Sequence, residues 1–496
     1  MKNRDIEFYE NKLLSGNYES DIGYFKEIFK NDSILRVREL RIAGTGTRCT
    51  LLFFDGMADS DAVTNGIIRS LLTASAEKNV SVTPRYITET FLYSSEVCET
   101  ANATDILRGI LYGDTAMFVE NSKTALVINT KGWKTRGIAE PPNERVKAGP
   151  REGFEEAALL NVAEIRRKLQ TPDLCVESLK LGRRTDTQVF ICYLGSLADG
   201  GLLKELRKRI SEIDIDGILD TNYIAEEITD RKHCLFKTVG STERPDVVAA
   251  RLLEGRVAVI ADGTPVVITV PYLFSENFQS DEDYYIGFLS GSIGRLLRIA
   301  SFIVAAFAPA LFIALCTFHG GLLPTSLALS VMRLRTGVPA SSLSECIMLI
   351  LCFEVLKEAS ARAMQEWGVA LSIVGGLVIG QAAVDTRVVS APVLIIVALA
   401  GVCSVTVPRL RSAIFCIKML TVILSGFFGF LGLFASVTAV LLYVLNLTSF
   451  GADYTESLVR PRKSSFKDTF YRTGWSKMIM RPIFNKKDKV RQKDEK

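Results

Sequence analysis

The rhythm of apolar and polar positions changes twice along this chain. Across residues 1–296 short apolar runs alternate with charge-dense stretches, the pattern of a soluble region. Across 297–450 the residues are mostly apolar with charges thinly scattered, and after Val459 comes a basic tail. Within the first region one pattern occurs twice. "ILRGILYGDTAMFVENSKTALVI" and "VAARLLEGRVAVIADGTPVVITV" align without a gap from Gly113 and Gly255. Each predicts a helix stopped at a left-handed glycine, a buried strand, a two-residue turn and a second strand. Asn121-Ser122 makes the turn in the first copy, and Gly263-Thr264 makes it in the second.

The likeness extends upstream. "LLFFDGMADSDAVTNGIIRSL" (51–71) and "VFICYLGSLADGGLLKELRKRI" (189–210) each read as a strand, a small polar turn ending in Ala-Asp, and a helix. A strand pair precedes each. The unit of hairpin, helices and hairpin predicts two similar α/β subdomains, about 30–138 and 171–273. Pro141, Pro142, Gly149 and Pro150 mark a linker between them. The stretch "EGFEEAALLNVAEIRRKL" after it has helical spacing. At "STERPDVVAARLLEG", Ser241 or Thr242 is the expected cap and Pro245 the first-turn residue.

The apolar region predicts membrane spans, each needing about 20 apolar residues. Leu296–Phe318 qualifies, with Pro309 as a kink and Arg295 and Arg298 marking its cytoplasmic end. Gly368–Val384 is glycine-rich, and Gly376 and Gly380 form a GxxxG that permits close helix approach. Val389–Val407 is a further span, followed by the basic "PRLR". Ala413–Leu447 is long for one span and tight for two, with Gly426, Gly429 and Gly432 as candidate breaks. The expectation is six crossings, with five as the alternative.

Composition narrows the function. Lys plus Arg total 59 against 55 Asp plus Glu, a net charge of +4, which gives no support to nucleic-acid binding. The charged start "MKNRDIEFYENKLL" has no apolar signal-peptide core, so the leading region is expected to be cytoplasmic. Ten scattered cysteines and two distant histidines, His233 and His319, form no zinc pattern. No phosphate-binding loop, nucleophile elbow or dinucleotide fingerprint occurs. The expectation is a protein that is not an enzyme and carries no cofactor or metal.

One apolar stretch is unusual. "SECIMLILCFEVLKEASARA" (344–363) carries Glu345, Glu354, Lys357, Glu358 and Arg362. On a helix, Glu354, Glu358 and Arg362 share a face with Lys357 beside them, and Glu345 projects from the other end. A lipid-facing charge at mid-bilayer costs about 2.5–3.5 kcal/mol on insertion scales, so five are not tolerated. Three readings remain: an interfacial helix, a water-filled cation path lined by carboxylates, or charges paired with a partner subunit.

Several stretches together resemble one family. They are "GPREGFEE" (149–156), "TERPD" (242–246), "DEDYYIGFLSGSIGRLLR" (281–298), "LLP" (322–324), "SECIML…EVLKEA" (344–359) and "SIVGGLVIGQAAV" (372–384). In this order they are similar to the A subunit of spore germination receptors, the GerA family, from about residue 30 to 455. Two departures stand out: Met364 and Glu366 replace the family's prolines after the charged helix, and Asp385 and Arg387 fall where an uncharged turn is usual.

The resemblance implies a multi-pass protein of the spore inner membrane that works with a transporter-like B subunit and a lipoprotein C subunit. It implies nutrient sensing, oligomerisation and a ligand-gated cation channel, and no catalytic residue. The residues it carries across are Glu345, Glu354 and Glu358 with Gly375, Gly376 and Gly380; Lys357 and Arg362 are candidate charge partners. The expected architecture is an α/β cytoplasmic region of two subdomains (1–138 and 171–290) joined by a linker and helix (139–170). An α-helical transmembrane domain of five to six helices (291–450) and a basic tail (451–496) follow. The bundle is expected to contact membrane lipid; for the basic tail two readings stay open, contact with anionic headgroups or a solvated, disordered segment. A secondary transporter and a non-conducting scaffold or amplifier are the rival functions; the duplication in the soluble region, not the apolar one, speaks against the transporter.

Overall fold

The structure is a computed structural model of the chain. It describes residues 12–73, 82–132, 141, 144, 146–362, 380–456, 466–478, 480–481 and 490. The first subdomain contains α1 (Tyr18–Ile28), β1 (Leu35–Arg41), β2 (Arg48–Phe54), α2 (Pro84–Thr90), β3 (Val97–Thr100), α3 (Ala103–Tyr112), β4 (Thr115–Val119) and β5 (Ala125–Ile128). A π-helix, Ala62–Arg69, follows β2. Then come α4 (Ala158–Lys168), β6 (Leu174–Leu181), β7 (Thr187–Leu194), α5 (Gly200–Ser211), α6 (Thr221–Ile228), β8 (Gly240–Thr242), α7 (Pro245–Leu253), β9 (Val257–Ala261) and β10 (Val267–Val270).

The two sheets have the same topology. Strand order is β1-β2-β4-β5-β3 in one and β6-β7-β9-β10-β8 in the other, all antiparallel. The repeat expected from the sequence is therefore a repeat of structure. Gly113 and Gly255 end their helices at φ 97° and 90°, and Asn121 and Gly263 turn their hairpins at φ 64° and 89°. The short edge strands β3 and β8 are additional to the expected hairpin, helices and hairpin. Ser241 and Thr242 also depart from expectation: they belong to β8, Arg244 occupies the N-cap of α7, and Pro245 opens the helix as expected.

Each sheet is covered on both faces, which is why β4 and β9 are buried at every position. Alternate residues of β4 serve different cores. Ala116 and Phe118 join a core with α1, α3, α4, α7 and the second sheet, while Met117 and Val119 face the opposite way. In β9, Ala258 and Ile260 enter that same shared core, and Val257 and Val259 pack under α5 and α6. The subdomains thus form one unit around a common helical layer. Arg166 of α4 lies within it, fully buried, ion-paired with Asp32 and 4.0 Å above the Phe54 ring.

The apolar region contains α8 (Phe288–Thr317), α9 (Thr325–Arg335), α10 (Ser342–Arg362), α11 (Gly380–Asp385), α12 (Ala391–Val405), α13 (Arg411–Phe428) and α14 (Phe430–Leu445). Among the described residues two stretches, Phe288–Thr317 and Pro408–Phe428, are long and apolar enough to cross a membrane by length and composition. The long stretch after Ala413 is two helices, broken at Gly429 with φ 58°. Gly432 permits the hairpin, because a Cβ there would stand 2.0 Å from the Leu424 carbonyl oxygen. Small residues Ala305, Ala306 and Ala310 let α8 approach α13. Thr421 and Ser425 then donate across the gap to the Ala306 and Ala310 carbonyls at 3.0 and 2.7 Å.

A candidate site at the junction of the α/β unit with the helical bundle and at the charged helix

Helix directions follow from the contacts at helix ends. The α/β unit marks one end of the bundle: α8 starts there, and α13 starts there with Arg409 donating to the Glu276 and Gln279 carbonyls at 3.1 and 3.3 Å. The last residues of α14 are there too, with the Asn446 carbonyl accepting from Arg231 at 3.2 Å. The hairpin of β11 (Thr448–Ser449) and β12 (Ala452–Asp453) then clips onto the second sheet. Ser449 donates to the Thr238 carbonyl at 2.7 Å and accepts from the Tyr272 amide at 3.0 Å. At the opposite end, Gly429 lies against Phe318 and His319. Hence α8 and α13 run away from the α/β unit, and α14 returns to it.

The charged helix also returns. Leu343, near the start of α10, meets Gly426 near the distal end of α13, while Glu354 and Glu358 reach Arg411 at its proximal end, at 3.6 and 4.0 Å. Along the helix axis Glu345 and Glu354 are roughly 13 Å apart. The structure therefore divides the expected acidic cluster in two.

Glu345 is fully buried at the distal end. Its carboxylate accepts from the amide and hydroxyl of Ser390 at 2.9 and 2.6 Å, so it closes the N-terminus of α12. Arg335 from α9 sits 3.4 Å away. Glu354 and Glu358 stand together at the proximal end and are matched by bases. Lys357 lies 3.4 Å from Glu354 and donates to the Ser404 hydroxyl at 2.7 Å, and Arg362 lies 2.8 Å from Glu358. Gly375 and Gly376 lie outside the described residues. Gly380 lies in α11 beside Leu394.

Sequence reading missed Lys418 of α13, which is 2% exposed and has Lys357 and Glu354 as charged neighbours. A single lysine within "AIFCIKMLTVIL" was its signal, since a charge buried among apolar helices marks a candidate functional site. Also missed was the junction itself, where three of the motif segments meet the linker and Arg409. Arg244 bridges Asp246 at 2.7 Å and the Pro150 carbonyl at 3.0 Å, and the Tyr285 hydroxyl donates to Asp246 at 2.5 Å. Glu144 of the linker accepts from the Thr242 hydroxyl at 2.5 Å and stands 3.8 Å from Arg409. Gly149, at φ 108°, leaves room for the Tyr285 ring.

Behind this cluster, Arg256 is buried with Glu276 at 2.6 Å and Glu254 at 3.2 Å. Burial alone would lower its pKa; the two carboxylates overcome that and raise it. Burial pushes the Asp281 carboxyl above its ordinary range, against Arg409 and Arg251. The arrangement joins the inter-subdomain linker, the segment leaving β10 and the turn that leads into α13 into one ion-paired block. The tail seals its flank: Arg295 pairs with Asp468 at 3.1 Å, and the buried Arg472 donates to the Asp283 carbonyl at 2.6 Å.

Comparison with known proteins gives the family. The family model described as Bacillus/Clostridium GerA spore germination protein matches residues 23–484. This chain belongs to the GerA spore germination protein family. It is 34% identical to spore germination protein KA of Bacillus subtilis over 97% of this chain and 89% of that protein. It is 32% identical to spore germination protein GerLA of Bacillus cereus, covering 97% and 99% of the two chains. The crystal structure of the N-terminal domain of the A subunit of the Bacillus megaterium germinant receptor GerK3 is 31% identical. It covers 53% of this chain and 98% of that one, with a TM-score of 0.43. The segments that converge at the junction include three of those that carried the resemblance.

Proposed function

We propose that this GerA-family chain is the A-type subunit of a nutrient receptor in the spore inner membrane, that it oligomerises with B and C partner subunits, and that the assembly is a ligand-gated cation channel. Kinship across 97% of the chain with spore germination proteins supports the receptor role. The observation that carries the channel reading is the run of carboxylates inside an apolar helix, Glu345, Glu354 and Glu358. Six crossings are the topology proposed, with both the α/β unit and the tail cytoplasmic. The helix directions support it: α8 and α13 run away from the α/β unit, whereas α10, α14 and α12, which starts beside Glu345 and ends beside Lys357, return to it; so does the tail's contact with Arg295.

In this reading α10 and the glycine-rich segment holding Gly375, Gly376 and Gly380 border the ion path. Lys357, Arg362 and Arg411 neutralise the proximal carboxylates in the resting protomer. The junction transmits movement of the α/β unit to α13 through Arg409. Purified chain with B and C subunits in liposomes passes K⁺ or Na⁺ when germinant is added. Glu345→Gln and Glu354→Gln reduce that flux; if both leave it unchanged, those residues have no part in permeation. The full base-pairing of Glu354 and Glu358 favours a second reading, a non-conducting scaffold, which predicts recovery of B and C subunits in pull-downs without conductance.

A further inference from the structure

The bundle has an open groove of about 550 Å³ that none of the motifs or acidic residues use. Helices α13 and α14 form one side, through Cys416, Leu420, Ala439 and Tyr443. Over it lies the loop that follows α6, contributing Cys234 and Phe236. This roof is fastened to the bundle. The Leu235 amide donates to the Tyr443 hydroxyl at 3.1 Å, Arg231 donates to the Asn446 carbonyl, and the Phe236 and Tyr443 rings are 6.1 Å apart. The groove volume falls within the roughly 300–1,000 Å³ of small-molecule sites.

Its chemistry is graded. The walls are apolar, whereas the roof reads Arg231-Lys232-His233 and ends at Lys237, all four exposed. Nearby acids are already engaged: Glu227 holds Lys232 at 2.8 Å, and Asp230 holds Arg209 at 2.5 Å. Arg231 meets only a main-chain carbonyl, and Lys237 has no ion-pair partner among the described residues. An apolar slot with a positive lip at the edge of the bundle matches an amphipathic anion. A helix of a second copy would fill the slot and leave the lip without counter-charge.

We propose that this groove binds one anionic phospholipid, with an acyl chain along α13 and α14 beneath Phe236 and the phosphate at Arg231 and its basic neighbours. The inference rests on reading α13 and α14 as membrane-spanning. The lipid ties the loop to the end of α14, and that loop leads directly into β8 and the junction residues Thr242–Asp246. Among the described residues, none of the basic C-terminal tail lines the groove.

The test uses the full chain in phosphatidylcholine nanodiscs carrying a photoactivatable phosphatidylglycerol or, in a parallel set, a photoactivatable phosphatidylcholine. Labelling of Cys416–Leu420 and Ala439–Tyr443 is expected to favour phosphatidylglycerol about fivefold, equivalent to about 1 kcal/mol for one basic residue near the headgroups. Combined Arg231→Gln, Lys232→Gln and Lys237→Gln abolishes the preference. Ala439→Phe removes groove labelling and leaves labelling at the exposed Phe427 and Leu431 unchanged. Equal labelling by the two lipids overturns the proposal, as does a crosslink from a Cys416-borne probe to a second copy or another polypeptide. Loss of labelling at Phe427 and Leu431 in the unaltered chain overturns the membrane reading itself.

Discussion

Glu276 is the sharpest place to test the junction. It is 4% exposed and serves three groups at once: Arg256 at 2.6 Å, Arg251 at 3.7 Å and the Leu273 amide at 2.6 Å. Glu276→Ala removes a buried carboxylate from two buried guanidinium groups. Breaking one side of a buried ion pair costs about 3–5 kcal/mol, because the remaining charge stays desolvated. For a region of this size each kcal/mol moves the midpoint by about 2–4 °C, so the expected drop is about 6–20 °C. The assay is thermal unfolding of the detergent-solubilised full chain, read by exposure of Cys175 and Cys192, which are buried in the second subdomain. Glu276→Leu combined with Arg256→Met removes both charges and recovers most of the loss. A drop of less than about 2 °C for Glu276→Ala, or no recovery in the double variant, refutes the argument that the ionic block holds the junction.

Three further outcomes are expected. Burial pushes the Glu164 carboxyl from 4.5 to about 7, and its Oε2 has no hydrogen-bond partner among the described residues. Being raised in the folded state, it costs nothing below pH 4.5, and stability falls as pH rises to about 7, by about 2–3 kcal/mol allowing for partial solvent access. Glu164→Gln flattens that slope in melting curves taken at pH 5 and 8, and an unchanged slope contradicts it. Gly432→Ala drives a Cβ into the Leu424 carbonyl and costs at least about 1–3 kcal/mol, whereas Gly401→Ala, which meets no atom within 4 Å, is close to neutral. Detergent melting of the two variants side by side separates them. Arg472→Ala loses its bonds to the Asp283 and Ile286 carbonyls, so trypsin is expected to cleave after Lys477 faster than in the unaltered chain.

The sequence alone determined the elements whose cause is local. Gly113 and Gly255 end helices because a left-handed turn excludes most side chains, and Asn121 and Gly263 turn hairpins for the same reason. The duplication was readable because both copies repeat this punctuation around a buried strand. Gly429 divides α13 from α14, one of the three breaks that the glycine spacing offered. Glu345 on one side and Glu354 and Glu358 on the other were separable by counting helical turns.

What each charge meets was decided by tertiary structure alone, because the partners are far apart in the chain. Nothing near Glu345 announces Ser390 or Arg335, and nothing near Glu354 announces Arg411. Thr242 looked like a helix cap from its neighbours, yet sheet pairing with Val267 places it in β8. There its hydroxyl engages Glu144, and the linker is tied through Arg409 to the turn that leads into α13. Local patterns set which residues turn, cap or pair within a few positions; long-range packing sets which buried charges are neutralised, since an unpaired charge out of water is too costly for the fold to leave alone.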